Sequence, residues 1–325
     1  VNSLPDASRP LTVELAAEAF AAILDGEVAP DDIQHFLTVM SDRDETSIEI
    51  TAAVREMRKR MKAISAPEGA IDVCGTGGDG SHSLNISTAV AIVVAACEVP
   101  VAKHGNRAAS SKAGAADTLE ALGLNLDRAS ETAEATLADL GICFLFAQKH
   151  HPALAPLAPI RKAIGKRTIF NLTGPAANPA RVKRQLIGVA RPDFLPVYAG
   201  ALELLNYEDA MLVAGDEPLD ELSISGPSSV HRLGQSSTRI TPESAGLAQH
   251  PSEELRGGDA AYNAAALMRL LDGEASAYRD AVLLNASAAL MVAGHVDDWH
   301  SGVEEAAEAI DKGLAKALLN CWVAY

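Results

Sequence analysis

Apolar residues recur at helical spacing through the first sixty positions. Ala52, Val54, Met57 and Met61 form one such stripe, and Pro30-Asp31-Asp32 is a favourable helix opening. The pattern predicts three helices, over 11–24, 31–40 and 45–63, with no strand among them. After Ser65-Ala66-Pro67-Glu68-Gly69 the texture changes to short apolar runs alternating with helical stretches. Strands are predicted over 71–74, 99–102, 142–146, 186–190, 210–214 and 221–225. Helices are predicted over 87–97, 116–122, 131–140 and 194–205. Residues 257–320 return to Ala-rich helix, punctuated by Gly294 and Gly302. Strand and helix in alternation predict an α/β fold: a mostly parallel sheet flanked by helices, with a smaller all-helical N-terminal domain. The expected division is a helical domain over 1–66, joined by helices from about 153–180, and an α/β domain over 67–325.

Composition sharpens this picture. The 325 residues are 48% hydrophobic but only 4% aromatic, so the interior must be built mostly from Ala, Leu, Val and Ile. A formal net charge of -16 argues against nucleic acid or an anionic membrane as partner. Cys74, Cys97, Cys143 and Cys321 are widely separated and read as reduced thiols. The chain does not open on an apolar signal region, and no uninterrupted apolar stretch reaches the roughly 18 residues that span a bilayer. A soluble cytoplasmic protein is expected.

The first strand runs into Asp72-Val-Cys-Gly-Thr-Gly-Gly-Asp-Gly-Ser-His-Ser-Leu-Asn-Ile-Ser-Thr88. A strand, a glycine-rich turn and a helix in that order gather unpaired backbone N–H groups at the positive end of a helix, where phosphate binds. The spacing is neither GxGxxG nor a Walker loop. On spacing alone, an ordinary capped turn is as good a reading as a polyphosphate cradle. Lys103-His104-Gly105-Asn106-Arg107 and Ser110-Ser111-Lys112-Ala113-Gly114-Ala115-Ala116-Asp117 then concentrate three cations and many small residues in an otherwise acidic chain. They read as a second anion-facing loop. His150-His151-Pro152, Arg161 and Arg167 through Pro175 mix cations with a Gly-Pro turn. Asp216-Glu217 and Asp220-Glu221 supply four carboxylates that either face water or hold Mg²⁺, an ion that takes few carboxylates together with substrate phosphate oxygens.

Taken in order, GTGGD at 75–79, NIST at 85–88, KHGNR at 103–107, SSKAGAAD at 110–117, HHP at 150–152, RTIFNLTGP at 167–175 and DELS at 220–223 resemble the anthranilate phosphoribosyltransferase family over roughly residues 8–320. The resemblance implies a nucleoside phosphorylase/phosphoribosyltransferase-like fold. It implies transfer of a phosphoribosyl group from phosphoribosyl pyrophosphate to anthranilate with Mg²⁺, two ions per site, in a homodimer. It further implies that phosphoribosyl pyrophosphate is bound by Gly75, Gly78, Asp79, Ser83, Asn85, Ile86, Ser87, Thr88, Lys103, His104, Gly105, Asn106, Arg107, Ala108, Ala109, Ser110, Ser111 and Ala115. Gly75, Asn106, His151, Arg161 and Gly174 are implied to line the anthranilate route, and Ser87, Asp220 and Glu221 to hold the metal. Asp216 and Glu217 fall outside the family's metal motif. Lys103 and Asn106 are read as electrostatic and positioning groups, and no general base is assigned.

Three departures from the family pattern stand out. Ala113 and Ala115 replace serines, Ser83 stands where Thr is common, and Ala176-Ala177 replaces a bulkier pair. A pyrimidine nucleoside phosphorylase shares the architecture and is the nearest rival reading. A non-catalytic phosphate-binding or nucleic-acid-binding relative is the rival from another class.

Overall fold

The computed structural model describes residues 3–108, 111–217 and 219–325. Ala109 and Ser110, both expected at the phosphoribosyl pyrophosphate loop, lie outside the described residues.

Three helices open the chain: α1 (Val13–Leu24), α2 (Pro30–Asp42) and α3 (Ser47–Arg60). Thr12 caps α1 by accepting from the Leu15 amide, and α3 begins with a reciprocal Thr46–Glu49 capping box. Glu49 is fully buried. Its carboxylate accepts from the Leu11 and Thr46 amides and pairs with the Arg43 guanidinium, which joins the starts of two helices.

Beyond residue 66 the strands are β1 (Ile71–Gly75), β2 (Val101–Gly105), β3 (Ile142–Phe146), β4 (Arg184–Gly188), β5 (Asp209–Gly215), β6 (Ser228–Arg232) and β7 (Thr238–Ile240). They form one sheet in the order β3-β2-β1-β4-β5-β6-β7. The first five are parallel, while β6 and β7 add as an antiparallel pair on one edge. Between β1 and β3 lie α4 (Ile86–Ala96), α5 (Ala115–Ala121), α6 (Leu126–Glu131) and α7 (Ala133–Leu140). Next come α8 (Ala147–His150), α9 (Ala158–Ile164), α10 (Ile169–Ala176) and α11 (Leu195–Leu204). The chain ends in α12 (Ala260–Leu271), α13 (Ala277–Ala293), α14 (Trp299–Asp311) and α15 (Leu314–Ala324).

Parallel strands covered on both faces read as continuous apolar runs, and their side chains alternate between two cores. Leu186, Met211 and Val213 face the core built on α4 and α12–α15. Ile187, Leu212 and Ala214 face the core that contains α1–α3, α10 and α11. The opening helices therefore do not pack as a separate lump, because their apolar faces continue onto one side of the sheet. α4 and α13 are apolar nearly all round and are correspondingly buried.

Four expectations need correction. Residues 221–225 form no strand: Leu222 exchanges backbone bonds with the Asn285 side chain and the Ser223 amide donates to Ser228 Oγ, so side chains replace a ladder. β6 and β7 were absent from the periodicity because Ser-Ser-Val-His-Arg and Thr-Arg-Ile are short and half-exposed. The helix expected over 131–140 breaks at Thr132. Gly302 lies inside α14 and does not interrupt it; a Cβ there would sit 2.3 Å from Ser287 Oγ, so the glycine lets α13 and α14 approach.

Asp72, on β1, is fully buried and central to the sheet's polar wiring. Its carboxylate accepts from the Val73 and His104 amides, from Asn178 Nδ2 at 2.9 Å and from Gln185 Nε2 at 3.1 Å. Burial pushes its pKa up, and the charge of Lys103 opposes that shift. Asp72→Ala strands these donors in a dry interior. It should lower stability by about 3 kcal/mol, read as a lower urea midpoint at unchanged slope. A midpoint equal to wild type would show that the network contributes nothing.

Candidate active site

In β3-β2-β1-β4-β5 the chain builds outward from β1 to β3 and then returns to the other side of β1. Ligands of open α/β sheets bind at such a reversal, beyond the carboxyl ends of the strands. Here those ends are Gly75 on β1 and Gly188 on β4, paired side by side. Residues 219–222 cross directly above them. A Cβ on Gly75 would lie 1.9 Å from Asp220 Oδ2, and one on Gly188 would lie 1.5 Å from the Asp220 carbonyl oxygen. Neither position tolerates a side chain with Asp220 where it is.

The turn after β1 is shaped by Gly77, Gly78 and Gly80, at φ of 69°, 77° and 75°. The Gly77 amide donates to Asp220 Oδ2 at 2.7 Å, and the Asp220 amide donates to Asp79 Oδ2 at 3.3 Å. Asp79 is itself fixed by the Ser81 amide and hydroxyl. The acidic pair more than 140 positions downstream thus closes onto the glycine turn. Glu221 is buried beside the first turn of α4, where the Ser87 amide favours its charged form. Lys103, 2% exposed, extends from β2 to donate to the Val73 carbonyl at 2.7 Å and Ser87 Oγ at 3.3 Å. Thr88 Oγ1 is buried beside them without a hydrogen-bond partner.

Burial raises the pKa of Asp220 and of Glu221. Repulsion adds to it: Asp79 acts on Asp220, and Asp220 acts on Glu221, while Lys103 counteracts the rise at Glu221. Three carboxylates facing one lysine form a site short of positive charge. Among the described residues no three His, Cys, Asp or Glu side chains form a ready-made metal cage. A donor set of two or three carboxylates and a serine hydroxyl suits Mg²⁺ that completes its shell with substrate oxygens. Asp216 and Glu217 point elsewhere: Asp216 pairs with Arg239, and Glu217 accepts from Ser223 Oγ.

The loop after β2 continues the wall. Gly105 must be small, since a Cβ would meet Phe144 at 2.8 Å and Ala115 at 3.1 Å. Asp117 caps α5, accepting from the Ala108 and Gly114 amides. Arg107 is engaged by Asp117 and Glu120 and lies over the Phe146 ring, so its charge is already partnered. Asn106 is exposed, with Oδ1 accepting from the Arg107 amide. Ser111 is exposed too, and its hydroxyl donates to the Ala113 carbonyl. Ser83 bridges to Arg256, and Ile86 is buried as the first residue of α4.

The second group of expected residues gathers behind this loop. His104 Nδ1 lies 3.1 Å from the Gly174 carbonyl oxygen, and its ring centroid is 5.1 Å from that of His151. Nε2 of each ring is buried without a partner. Burial pulls His104 well below the usual imidazole range and His151 down to about 4, so both rings are neutral at pH 7. Arg161, on α9, reaches Asn171 Oδ1 at 3.5 Å, one turn before Gly174. It has no carboxylate partner among the described residues, and burial lowers its pKa. A shielded, unpaired guanidinium is suited to an incoming carboxylate.

Sequence reasoning missed Asp72, Thr118, Asn263 and Tyr278, all of which brace the cradle. Thr118, Asn263 and Tyr278 converge on Asn85. Gly257-Gly258 followed by Asp259 was the available signal, a tight turn into a capped helix far from any motif.

Comparison with known proteins places this arrangement. The glycosyl transferase family helical bundle domain matches residues 6–61, and the glycosyl transferase family a/b domain matches residues 67–316. An anthranilate phosphoribosyltransferase of Novosphingobium aromaticivorans is 63% identical over 99% of this chain and 98% of its own length. Among solved structures, the anthranilate phosphoribosyltransferase of Thermus thermophilus superposes with a TM-score of 0.93 at 40% identity, covering 100% of this chain and 99% of that one. The Saccharomyces cerevisiae enzyme in complex with PRPP and Mg gives a TM-score of 0.90 at 26% identity, over 97% and 93% of the two chains. With both portions matched and relatives similar from end to end, the chain belongs to the anthranilate phosphoribosyltransferase family.

Proposed function

We propose that the crevice above β1 and β4 is where the chain transfers the 5-phosphoribosyl group of phosphoribosyl pyrophosphate to the amine of anthranilate. The products are N-(5-phosphoribosyl)anthranilate and pyrophosphate, in tryptophan biosynthesis. The observation that carries the assignment of this crevice is the closure of Asp220-Glu221 onto the glycine turn beside Lys103 and Ser87.

The amine attached to an electron-poor ring attacks the ribose anomeric carbon as pyrophosphate departs, so stabilising the leaving group is the main task. Bound Mg²⁺ supplies Lewis-acid neutralisation of the pyrophosphate oxygens. Ser87, Asp220 and Glu221 are the residues that would hold it. The excess of carboxylates over cations here supports two ions per site. The glycine-turn amides beyond Gly77 and the Thr88 amide in the first turn of α4 bind phosphate oxygens, and Lys103 adds a fixed positive charge against the developing oxyanion. Asn106 orients the amine, and Arg161 takes the anthranilate carboxylate along the route walled by His104, His151 and Gly174. Neutral, buried His104 and His151 are weak bases and serve as polar walls. The weakly basic amine loses its proton late, and no side chain is assigned as its acceptor.

A division into a helical domain over 1–66, extended by helices within about 153–180, and an α/β domain over 67–325 is supported by the change of texture at residue 66. The shared core of α1–α3 with α10 supports it as well. Exposed Val13 and Leu15 on α1, Ile48 on α3 and Leu204 on α11 lie on helices that pack together, which supports a homodimer through that face. Four free cysteines, and the lack of a helix long and apolar enough to cross a membrane among the described residues, support a cytoplasmic location.

Anthranilate fluorescence should decay with phosphoribosyl pyrophosphate only when Mg²⁺ is present, and thymidine should not be phosphorolysed. In that assay Glu221→Gln should need far more Mg²⁺ and lose about 10²- to 10³-fold in rate at limiting metal; unchanged metal dependence would remove Glu221 from the metal site. Arg161→Ala should raise the anthranilate KM far more than the phosphoribosyl pyrophosphate KM, and equal effects on both would make Arg161 structural. Sedimentation velocity should give a dimer at micromolar concentration, with a purely monomeric boundary counting against the apolar face.

A further inference from the structure

Asn85 occupies the N-cap position of α4, where an asparagine side chain ordinarily accepts from the second or third amide of the helix. It makes no such bond here. Its side chain is turned away and used up elsewhere. Oδ1 accepts from Thr118 Oγ1 on α5 and from Asn263 Nδ2 on α12 at 2.9 Å, while Nδ2 donates to the Ala113 carbonyl at 3.3 Å. The Asn85 backbone carbonyl accepts from the Tyr278 hydroxyl at 3.1 Å.

Asn263 is 2% exposed and saturated in turn. Its Oδ1 accepts from the Gly258 amide at 2.8 Å, which fixes the amide with Nδ2 towards Asn85. The same segment grips the approach to α4. The Leu84 amide donates to the Leu255 carbonyl and the Gly257 amide to the His82 carbonyl, each at 2.8 Å. Gly257 must lack a side chain, since a Cβ would lie 2.6 Å from the Ser83 carbonyl oxygen and 3.1 Å from Asn263 Oδ1.

We propose that Asn263, together with Thr118, is a positioning residue of the phosphoribosyl pyrophosphate site that acts through Asn85. By drawing the Asn85 side chain off the helix end, the pair keeps the Thr88 amide, in the first turn of α4, open to a phosphate oxygen; the Ile86 amide is already held by the Leu84 carbonyl and the Ser87 amide faces Glu221. Through the Ala113 carbonyl, the same asparagine ties the small-residue loop to the cradle. The Ala113 departure is consistent with this, because Ala113 contributes its carbonyl and needs no hydroxyl. The proposal rests on the phosphoribosyl pyrophosphate reading given above.

The test measures both substrate KM values and calorimetric binding of phosphoribosyl pyrophosphate with Mg²⁺ for wild type, Asn263→Ala, Asn85→Ala, the double variant, and Thr118→Val, which is near-isosteric. Removing one hydrogen bond of about 1–1.5 kcal/mol predicts a phosphoribosyl pyrophosphate KM raised about tenfold in Asn263→Ala. Thr118→Val should show a similar rise, with the anthranilate KM changed less than about twofold. The double variant should be no worse than Asn85→Ala alone, because both losses pass through one side chain. Should Asn263→Ala fail to fold, Thr118→Val carries the same expectation. Folded variants with unchanged phosphoribosyl pyrophosphate KM, equal loss for both substrates, or strict additivity would overturn the proposal. Wild-type protein that neither binds phosphoribosyl pyrophosphate nor consumes anthranilate would overturn the functional reading and the proposal with it.

Discussion

The structure depends on carrying negative charge over the carboxyl ends of two neighbouring parallel strands. Asp220 can lie there only because Gly75 and Gly188 present bare backbone beneath it. Its carboxylate then accepts from the Gly77 amide, and its own amide donates to Asp79. Sheet order, glycine placement and acidic loop therefore form one geometric solution. Shifting any of the three would separate the carboxylates from the amides that a diphosphate needs.

That solution leaves an electrostatic deficit, and the neighbouring groups respond to it. Lys103 is buried on β2 within reach of Ser87, and its field acts on Asp72 behind it as well as on Glu221 in front. On the opposite wall, burial keeps two histidines neutral, and the Arg161 guanidinium has no carboxylate partner among the described residues to offset its own burial. The two walls thus suit different ligands: one awaits cations and phosphate, the other a flat acid bearing a single carboxylate. Preorganised charge of this kind needs little rearrangement when the substrates arrive.

Much of this was legible from the chain. The three opening helices and the five parallel strands follow from apolar periodicity, with ends displaced by at most three residues. The glycine turn and the KHGNR loop were visible because phosphate chemistry demands small or charged residues in sequence-local clusters, whereas the choice of Asp220-Glu221 over Asp216-Glu217 came from the family resemblance. What stayed hidden was held by long-range contacts. Glu221 through Ser225 looked strand-like because polar and apolar residues alternate there, yet backbone bonds of Leu222 and Ser223 are satisfied by Asn285 and Ser228 side chains. The edge strands β6 and β7 are too short and polar to show a period. Asn263 sits in an unremarkable Ala-rich helix, and nothing local distinguishes its amide from a solvent-facing one.

The hydrogen bond between Asn85 and Asn263 joins residues 178 positions apart, and the Tyr278 hydroxyl reaches back 193 positions to the same asparagine. During synthesis the glycine turn leaves the ribosome long before either partner exists. A nascent chain halted before Asn263 would carry every recognisable phosphate motif and still lack the brace that sets the mouth of α4. Competence for ligand is therefore acquired late, by completion of the C-terminal helices, and the motif-bearing portion alone would emerge unready.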